Sequence, residues 1–374
     1  MTKSVIHFVD LEAQRLRIAA RIDAAIAGVL SHGKYIMGPE VVAFEAALAA
    51  YCGVRFAIST SNGTDALVLP LMAKGIGLGD AVFVPAFTFA ATAGAVALIG
   101  ATPVFVDVDP LTYNLDPNQL DDAVSHAASL GYRPRAVIPV DLFGLPAAYD
   151  DLIAVCKRHS LFLLADAAQS CGGSLNGGRV GSLAHATATS FFPAKPLGCY
   201  GDGGAVLTDD TDLAEALRSL RVHGCGGDKY DNVRIGMNAR LDTIQAAVLL
   251  EKLVILDDEI AARGRIAGRY DKLLGNVVQT PVRPQGAVSA FAQYTICSSR
   301  RNAIRDTCAA RGVPTMVYYP KTLPQQRAYC HFPSAPGGTP IANALASQVL
   351  SLPVHPYLED AQVADIATAV CEAA

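Results

Sequence analysis

The chain has no CxxC pair and no Cys/His cluster with zinc-ligand spacing, and it lacks both the Walker lysine and the GxGxxG spacing of ATP and dinucleotide sites. It also has no strong excess of charge. Thirty basic side chains against 34 acidic ones leave a formal net charge of -4, which gives nucleic acid or an anionic membrane no electrostatic footprint. The opening residues, Met-Thr-Lys-Ser-Val-Ile-His-Phe-Val-Asp, contain no apolar signal core. Nine cysteines stand singly along the chain, an odd number that suits a reducing compartment better than a disulfide framework. These absences lead us to expect a soluble, cytoplasmic protein without a metal site.

Charge is also missing locally. No charged residue occurs from Ala81 to Val106, a length that raises the question of a membrane span. Pro85, Gly94, Gly100 and Pro103 divide that stretch, so it reads instead as a buried strand, an alanine-rich helix and a second buried strand. The whole chain has 374 residues, 51% of them hydrophobic, which is material for a sizeable core and for more than one domain.

Up to residue 258, short apolar runs alternate with helical segments. Phe56–Ser59, Val82–Val84, Val104–Asp107, Ala136–Val140, Leu161–Ala165 and Ala205–Thr208 are the expected strands. Most are continuously apolar, as parallel strands covered on both faces are. Gly63–Lys74, Asn118–Ala128 and Ala148–Arg158 are expected helices, and Leu11–Leu30 reads as a leading amphipathic one. Beyond residue 258 come a polar helix (Glu259–Leu274), a strand near Gln293–Cys297, a helix near Asn302–Arg311 and a strand ending at Tyr318. The expected organisation is a large α/β domain over 1–258 and a smaller α+β domain over 259–374.

Four features carry chemistry. Lys195 is the one formally charged residue between Arg179 and Asp202, in Ser190-Phe-Phe-Pro-Ala-Lys195. It fits either a loop lysine whose head reaches solvent or a lysine held for Schiff-base chemistry. Asp166 ends the apolar run Leu161–Ala165, at the strand end where open α/β sheets place ligands. It fits a helix N-cap or the partner of a protonated heterocyclic nitrogen, which is the partner that pyridoxal phosphate requires. Ser61-Asn62-Gly63-Thr64 follows a strand and opens a helix, making a plausible phosphate cradle. Phe89, in Pro85-Ala-Phe-Thr-Phe89, is either plain core or an aromatic that stacks on a flat ring.

In this order the motifs resemble the DegT/DnrJ/EryC1/StrS family of pyridoxal-phosphate-dependent sugar-nucleotide aminotransferases. The matching residues are Asn62–Leu67, Pro85–Phe89, Asp166-Ala-Ala-Gln169, Ser190–Lys195, Gly201-Asp-Gly-Gly204 and Gly236-Met-Asn-Ala-Arg-Leu-Asp242. The resemblance extends from Phe8-Val-Asp-Leu11 to Leu352-Pro-Val-His355. It implies the aspartate-aminotransferase-like fold, type I of the pyridoxal-phosphate enzymes. By the same resemblance Lys195 would form the Schiff base with the cofactor and shuttle the proton. Asp166 would meet the pyridinium nitrogen, Gln169 the ring hydroxyl and Phe89 the ring face. Gly63, Thr64 and Ser190 would hold the phosphate, and Asn238 would reach it from the neighbouring subunit of a homodimer with shared sites. Relatives that act as dehydratases replace the lysine with histidine, so Lys195 points to transamination. A non-catalytic regulatory or binding protein on the same fold is the rival class.

Thr112–Pro117, Ser190–Tyr200, Arg240–Ala247 and Phe291–Thr295 look closest to the branch that aminates C3 of UDP-2-acetamido-2-deoxy-3-keto-glucuronate for bacterial surface polysaccharide (O-antigen). The alternatives are a dTDP-3-keto-6-deoxyhexose 3-aminotransferase and a 4-aminotransferase. L-glutamate would donate the amine and leave as 2-oxoglutarate, with pyridoxamine 5′-phosphate as the intermediate form. A substrate with a diphosphate and a carboxylate calls for basic groups. Arg240 is the first candidate, and Lys229 and Tyr230 follow. Many members carry His-Tyr-Pro near the sugar, whereas this chain reads Val317-Tyr318-Tyr319-Pro320-Lys321. Tyr318 and Lys321 therefore join the substrate candidates.

Overall fold

The apolar runs become the sheets of a computed structural model that describes residues 5–228 and 230–374. Five strands come first: β1 (Phe56–Thr60), β2 (Asp80–Pro85), β3 (Thr102–Val106), β4 (Arg133–Val137) and β5 (Phe162–Asp166). The short β6 (Ser174–Leu175) and β7 (Gly178–Arg179) precede β8 (Ala186–Ser190) and β9 (Gly204–Thr208). Last come β10 (Ala287–Val288), β11 (Tyr294–Cys297) and β12 (Val349–Leu352). The main sheet has seven strands in the order β1-β9-β8-β5-β4-β2-β3. From β8 to β3 all neighbours are parallel, while β9 runs antiparallel to both β1 and β8. The expectation of a parallel sheet is corrected at β9. That strand returns through the loop 191–203 beside β8 rather than crossing over a helix, and a continuously apolar run reads alike in either direction.

The helices pack on both faces of this sheet and on the smaller second sheet. They are α1 (Leu11–Arg17), α2 (Ala19–His32), α3 (Pro39–Cys52), α4 (Gly63–Ala73), α5 (Ala90–Leu98), α6 (Leu120–Ser129) and α7 (Tyr149–His159). After β9 follow α8 (Thr211–Leu220), α9 (Thr243–Leu253), α10 (Leu256–Leu274), α11 (Arg301–Ala310), α12 (Pro340–Gln348) and α13 (Asp360–Cys371). The leading helix is two helices rather than one, because Ile18 leaves helical geometry at φ -125°, ψ 22°. The strand expected to end at Tyr318 is reduced to an isolated bridge between Met316 and Ser351. The uncharged stretch Ala81–Val106 spans β2, α5 and β3, and all six residues of β2 are buried. No helix among the described residues is long and apolar enough to cross a membrane.

Two apolar layers sandwich the main sheet, one with Val84, Ile138 and Leu164, the other with Phe83, Val137 and Leu163. This alternation follows from successive strand side chains pointing to opposite faces. A separate cluster builds on the antiparallel pair β11–β12, where Tyr270 and Tyr294 pack with ring centroids 4.8 Å apart. The expected domain boundary at 258/259 falls in the first turn of α10, and a division of the chain there is our proposal.

One polar cluster ties the end of the edge strand β1 to α3 and to the end of α8. Glu45, on α3, accepts from the Ser59 amide at 2.9 Å and from the Ser59 hydroxyl at 2.6 Å. It also pairs with Arg221, whose guanidinium donates to the Ser59 carbonyl at 2.9 Å. Both charged side chains are largely withdrawn from water, so losing one leaves the other poorly solvated. Replacing Glu45 by Ala is expected to lower stability by about 3 kcal/mol in urea unfolding. Replacing Asp306, the exposed partner of Arg305, is expected to cost less than about 1 kcal/mol. Equal effects would contradict this reading.

Candidate active site

β1, β2, β5 and β8 all end on the same side of the sheet, and the side chains singled out in the sequence follow those ends. They line one cavity of about 420 Å³ that gathers Gly63, Thr64, Asp166, Gln169, Ser190 and Lys195, with Phe89 and Tyr318 in its wall. This is the crevice beyond the carboxyl ends of the strands where α/β sheets hold ligands.

One end of the cavity is built by the start of α4. Asn62, extended at φ -165°, caps the helix by accepting from the Asp65 amide at 2.8 Å. That leaves the amides of Gly63 and Thr64 among the first-turn donors that lack an intrahelical acceptor, facing the cavity with the positive end of the helix dipole behind them. Ser190 closes the cradle from the end of β8. A Cβ on Gly63 would lie 2.7 Å from the Cβ of Ser190, so only glycine lets the two elements meet. A Cβ on Gly204 would lie 2.4 Å from the Asn62 carbonyl oxygen, so the first residue of β9 is constrained in the same way.

Asp166 ends β5 and is buried. It accepts from the Thr92 hydroxyl at 2.8 Å and from the Ala168 amide at 3.3 Å. No helix begins after it, so the N-cap alternative falls away. Burial pushes its carboxyl above the usual carboxylate range, while its two hydrogen bonds and the Lys195 charge oppose that rise. Burial likewise pulls the Lys195 ammonium below the usual lysine range, and the Asp166 charge opposes that fall. Lys195 is held by a tight loop in which its amide donates to the Phe192 carbonyl at 2.8 Å and the Phe191 amide to the Gly203 carbonyl at 2.7 Å.

Gln169 is oriented from behind. The Phe143 amide donates to its Oε1 at 2.6 Å, from a residue whose own backbone lies in the left-handed region at φ +58°. The amide Nε2 is thereby turned outward, 3.3 Å from the Tyr319 hydroxyl. Beneath this turn lies Asp141, fully buried and pushed up to about 6 by that burial. It accepts from the Ser170 hydroxyl at 2.6 Å and the Tyr149 hydroxyl at 2.7 Å, which anchors the residue next to Gln169.

The remaining candidates fall elsewhere. Asn238, Arg240, Tyr230 and Lys321 do not line the cavity, and Lys229 lies outside the described residues. Asn238 and Lys321 are exposed, while Arg240 is half-buried with a buried Nε that has no hydrogen-bond partner. Phe89 is 59% exposed and is not plain core. Sequence reasoning missed Thr92, whose signal was its position as the sole hydroxyl in the helix Ala90–Leu98. It also gave no role to Tyr319, which lines the cavity from the second half of the chain.

The residue set fits pyridoxal phosphate. It offers a cradle of neutral donors closed by a required glycine, a buried carboxylate, a single lysine with a weakened ammonium, an outward amide and an open aromatic face. Of the residues lining the cavity, Lys195 alone carries a basic side chain.

The sequence profile described as the DegT/DnrJ/EryC1/StrS aminotransferase family matches residues 16–371. The UDP-2-acetamido-2-deoxy-3-oxo-D-glucuronate aminotransferase of Pseudomonas aeruginosa is 46% identical over 98% of this chain and 99% of its own. The dTDP-3-amino-3,4,6-trideoxy-alpha-D-glucose transaminase of Streptomyces venezuelae is 41% identical over 98% and 95%. A crystal structure of a DegT DnrJ EryC1 StrS aminotransferase from Brucella abortus superposes with a TM-score of 0.97 at 54% identity, covering 98% of both chains.

The coupled charges give a pH test. Lys195 captures an aldehyde only as the neutral amine, so capture of added pyridoxal phosphate rises as pH climbs through the Lys195 pKa. The Asp166 charge stabilises the ammonium and raises that pKa. In Asp166→Asn the half-maximal pH of capture, followed by visible absorbance, is therefore expected to move to lower pH. A move to higher pH, or none, would show that the two groups are not coupled.

Proposed function

The chain belongs to the DegT/DnrJ/EryC1/StrS aminotransferase family of pyridoxal-phosphate enzymes, and from that premise we propose that it transfers the amine of L-glutamate to C3 of UDP-2-acetamido-2-deoxy-3-keto-glucuronate. The observation that carries the reaction type is the cavity at the strand ends, where Lys195 and Asp166 are enclosed together. The likeness to the Pseudomonas aeruginosa enzyme over nearly the whole of both chains supports the substrate.

When bound, pyridoxal phosphate supplies an electron sink for the carbon that loses or gains a proton. The chain does the rest. In our reading Lys195 anchors the cofactor and then moves the proton, a task suited to an amine whose pKa burial has lowered. Asp166, held by Thr92 and the Ala168 amide, keeps the ring nitrogen protonated. Gln169 turns its Nε2 to the ring oxygen, Phe89 covers the ring face, and Gly63, Thr64 and Ser190 hold the phosphate. Excluding water from this pocket strengthens each of these electrostatic contacts.

The cavity's one basic side chain is committed to the chemistry, so further cations for a diphosphate and a carboxylate must come from outside it. We assign that role to a second copy of the chain, which would present Asn238 to the phosphate and Arg240, with Lys229 and Tyr230, to the sugar nucleotide. Val233 and Ile235 are 55% and 91% exposed on the same segment, an apolar exposure that burial against another subunit would relieve. Tyr318 and Lys321 would act from the sugar side. An O-antigen pathway in the cytoplasm is the setting this activity suggests.

The likeness to the Streptomyces venezuelae transaminase favours a second reading, a dTDP-linked 3-keto-deoxyhexose as acceptor. The experiment supplies L-glutamate and each keto-sugar nucleotide in turn and follows 2-oxoglutarate. The UDP-glucuronate-derived substrate is expected to have the higher kcat/KM by about ten- to a hundredfold, the worth of charge-assisted contacts to its carboxylate. Preference for the dTDP sugar would replace the first reading by the second. No turnover with a C3-keto sugar but turnover with a C4-keto one would move the amination site.

A further inference from the structure

Tyr319 belongs to the cavity's polar wall and has no task assigned so far. It comes from the second half of the chain, more than a hundred residues beyond Asp166, yet its hydroxyl oxygen accepts from Gln169 Nε2 at 3.3 Å. Its ring packs among three aromatic neighbours, Tyr318 with centroids 5.8 Å away and Phe87 and Phe89 each 6.1 Å away. The hydroxyl accepts one bond but donates its own proton to no protein atom among the described residues. An O–H held in a largely enclosed pocket is costly to leave without an acceptor. Burial and the nearby Asp166 charge both keep it protonated, so it stays a donor at any working pH.

The geometry of a pyridoxal ring says which acceptor it would meet. Asp166 takes the ring nitrogen and Lys195 the aldehyde carbon, while the phosphate arm leaves toward Gly63, Thr64 and Ser190. The ring's phenolic oxygen projects from the edge between the nitrogen and the aldehyde carbon, opposite the phosphate arm. Gln169, three residues after Asp166, faces that edge, and Tyr319 is bonded to Gln169. We propose that Tyr319 is a positioning residue for the cofactor: its hydroxyl aligns the Gln169 amide and gives its own proton to the same ring oxygen. Two donors, one from each half of the chain, then stabilise that oxygen as an anion. The inference rests on the cofactor reading of this cavity and extends it to a residue that the motifs did not single out.

The sign of the effect follows directly. Donors to an anionic oxygen disfavour the protonated form of the Lys195-linked cofactor, so removing one makes protonation easier and raises the pH midpoint of the visible band. Tyr319→Phe keeps the ring packing and removes the hydroxyl alone. In the protein loaded with pyridoxal phosphate, its midpoint is expected to rise by about half a unit to one unit, three- to tenfold in proton affinity. The affinity of the cofactor-free protein for pyridoxal phosphate is expected to fall about three- to tenfold with it. Tyr329→Phe, which removes a hydroxyl that lies outside the cavity and donates to the Ala90 carbonyl at 3.2 Å, should leave the midpoint at its wild-type value. A Tyr319→Phe midpoint equal to wild type, or equal shifts in both variants, overturns the assignment. A wild-type protein that gains no visible band with pyridoxal phosphate overturns the cofactor reading itself, so the two failures are distinguishable.

Discussion

The structure turns on one pair of opposite charges taken out of water together. Asp166 and Lys195 each resist ionisation because of burial, and each restores part of the other's charge. Neither would persist there alone, because an isolated buried ion costs several kcal/mol. A lysine whose ammonium is destabilised but not abolished gives up its proton more readily than an exposed one. A carboxylate at the opposite end of a flat ring can hold a ring nitrogen positive. The sheet order and the required glycines bring these two groups to one cavity, and the turn at Phe143 orients Gln169 beside them.

The electrostatics also bear on the end of the cavity beside α4, whose lining contains no cation of its own. The start of α4 provides free amides and a positive dipole end, and Ser190 adds a hydroxyl, so this end offers an anion neutral donors. A lysine or arginine placed there would lie close to Lys195 and lower its pKa further. Keeping this end of the cavity neutral therefore protects the charge balance at Lys195.

Much of this was legible in the sequence, and the parts that were not share a physical cause. Lys195 stood out because no other charge occurs between Arg179 and Asp202, and Asp166 because it closes an apolar run. Strand positions held to within a few residues, since burial on both faces enforces continuous apolar runs. β8 escaped, because Ala-Thr-Ala-Thr-Ser is small and half hydroxylic and owes its place to neighbours on both sides. The reversal of β9 escaped as well, because side-chain pattern does not encode strand direction. The orientation of Gln169 and the arrival of Tyr319 depend on contacts far apart in the chain. Asn238 and Arg240 were readable as motif residues, but they do not line this chain's cavity, and sequence spacing does not say where the fold will put a residue.

The most direct test of the Asp166–Lys195 pair as an aminotransfer centre is the visible absorbance of the protein loaded with pyridoxal phosphate, recorded before and after stoichiometric L-glutamate without any sugar. If the pair works as described, the visible band is bleached, 2-oxoglutarate appears in matching amount, and Lys195→Ala shows no such band to begin with. A band that L-glutamate leaves intact, or the same band in Lys195→Ala, would contradict the account.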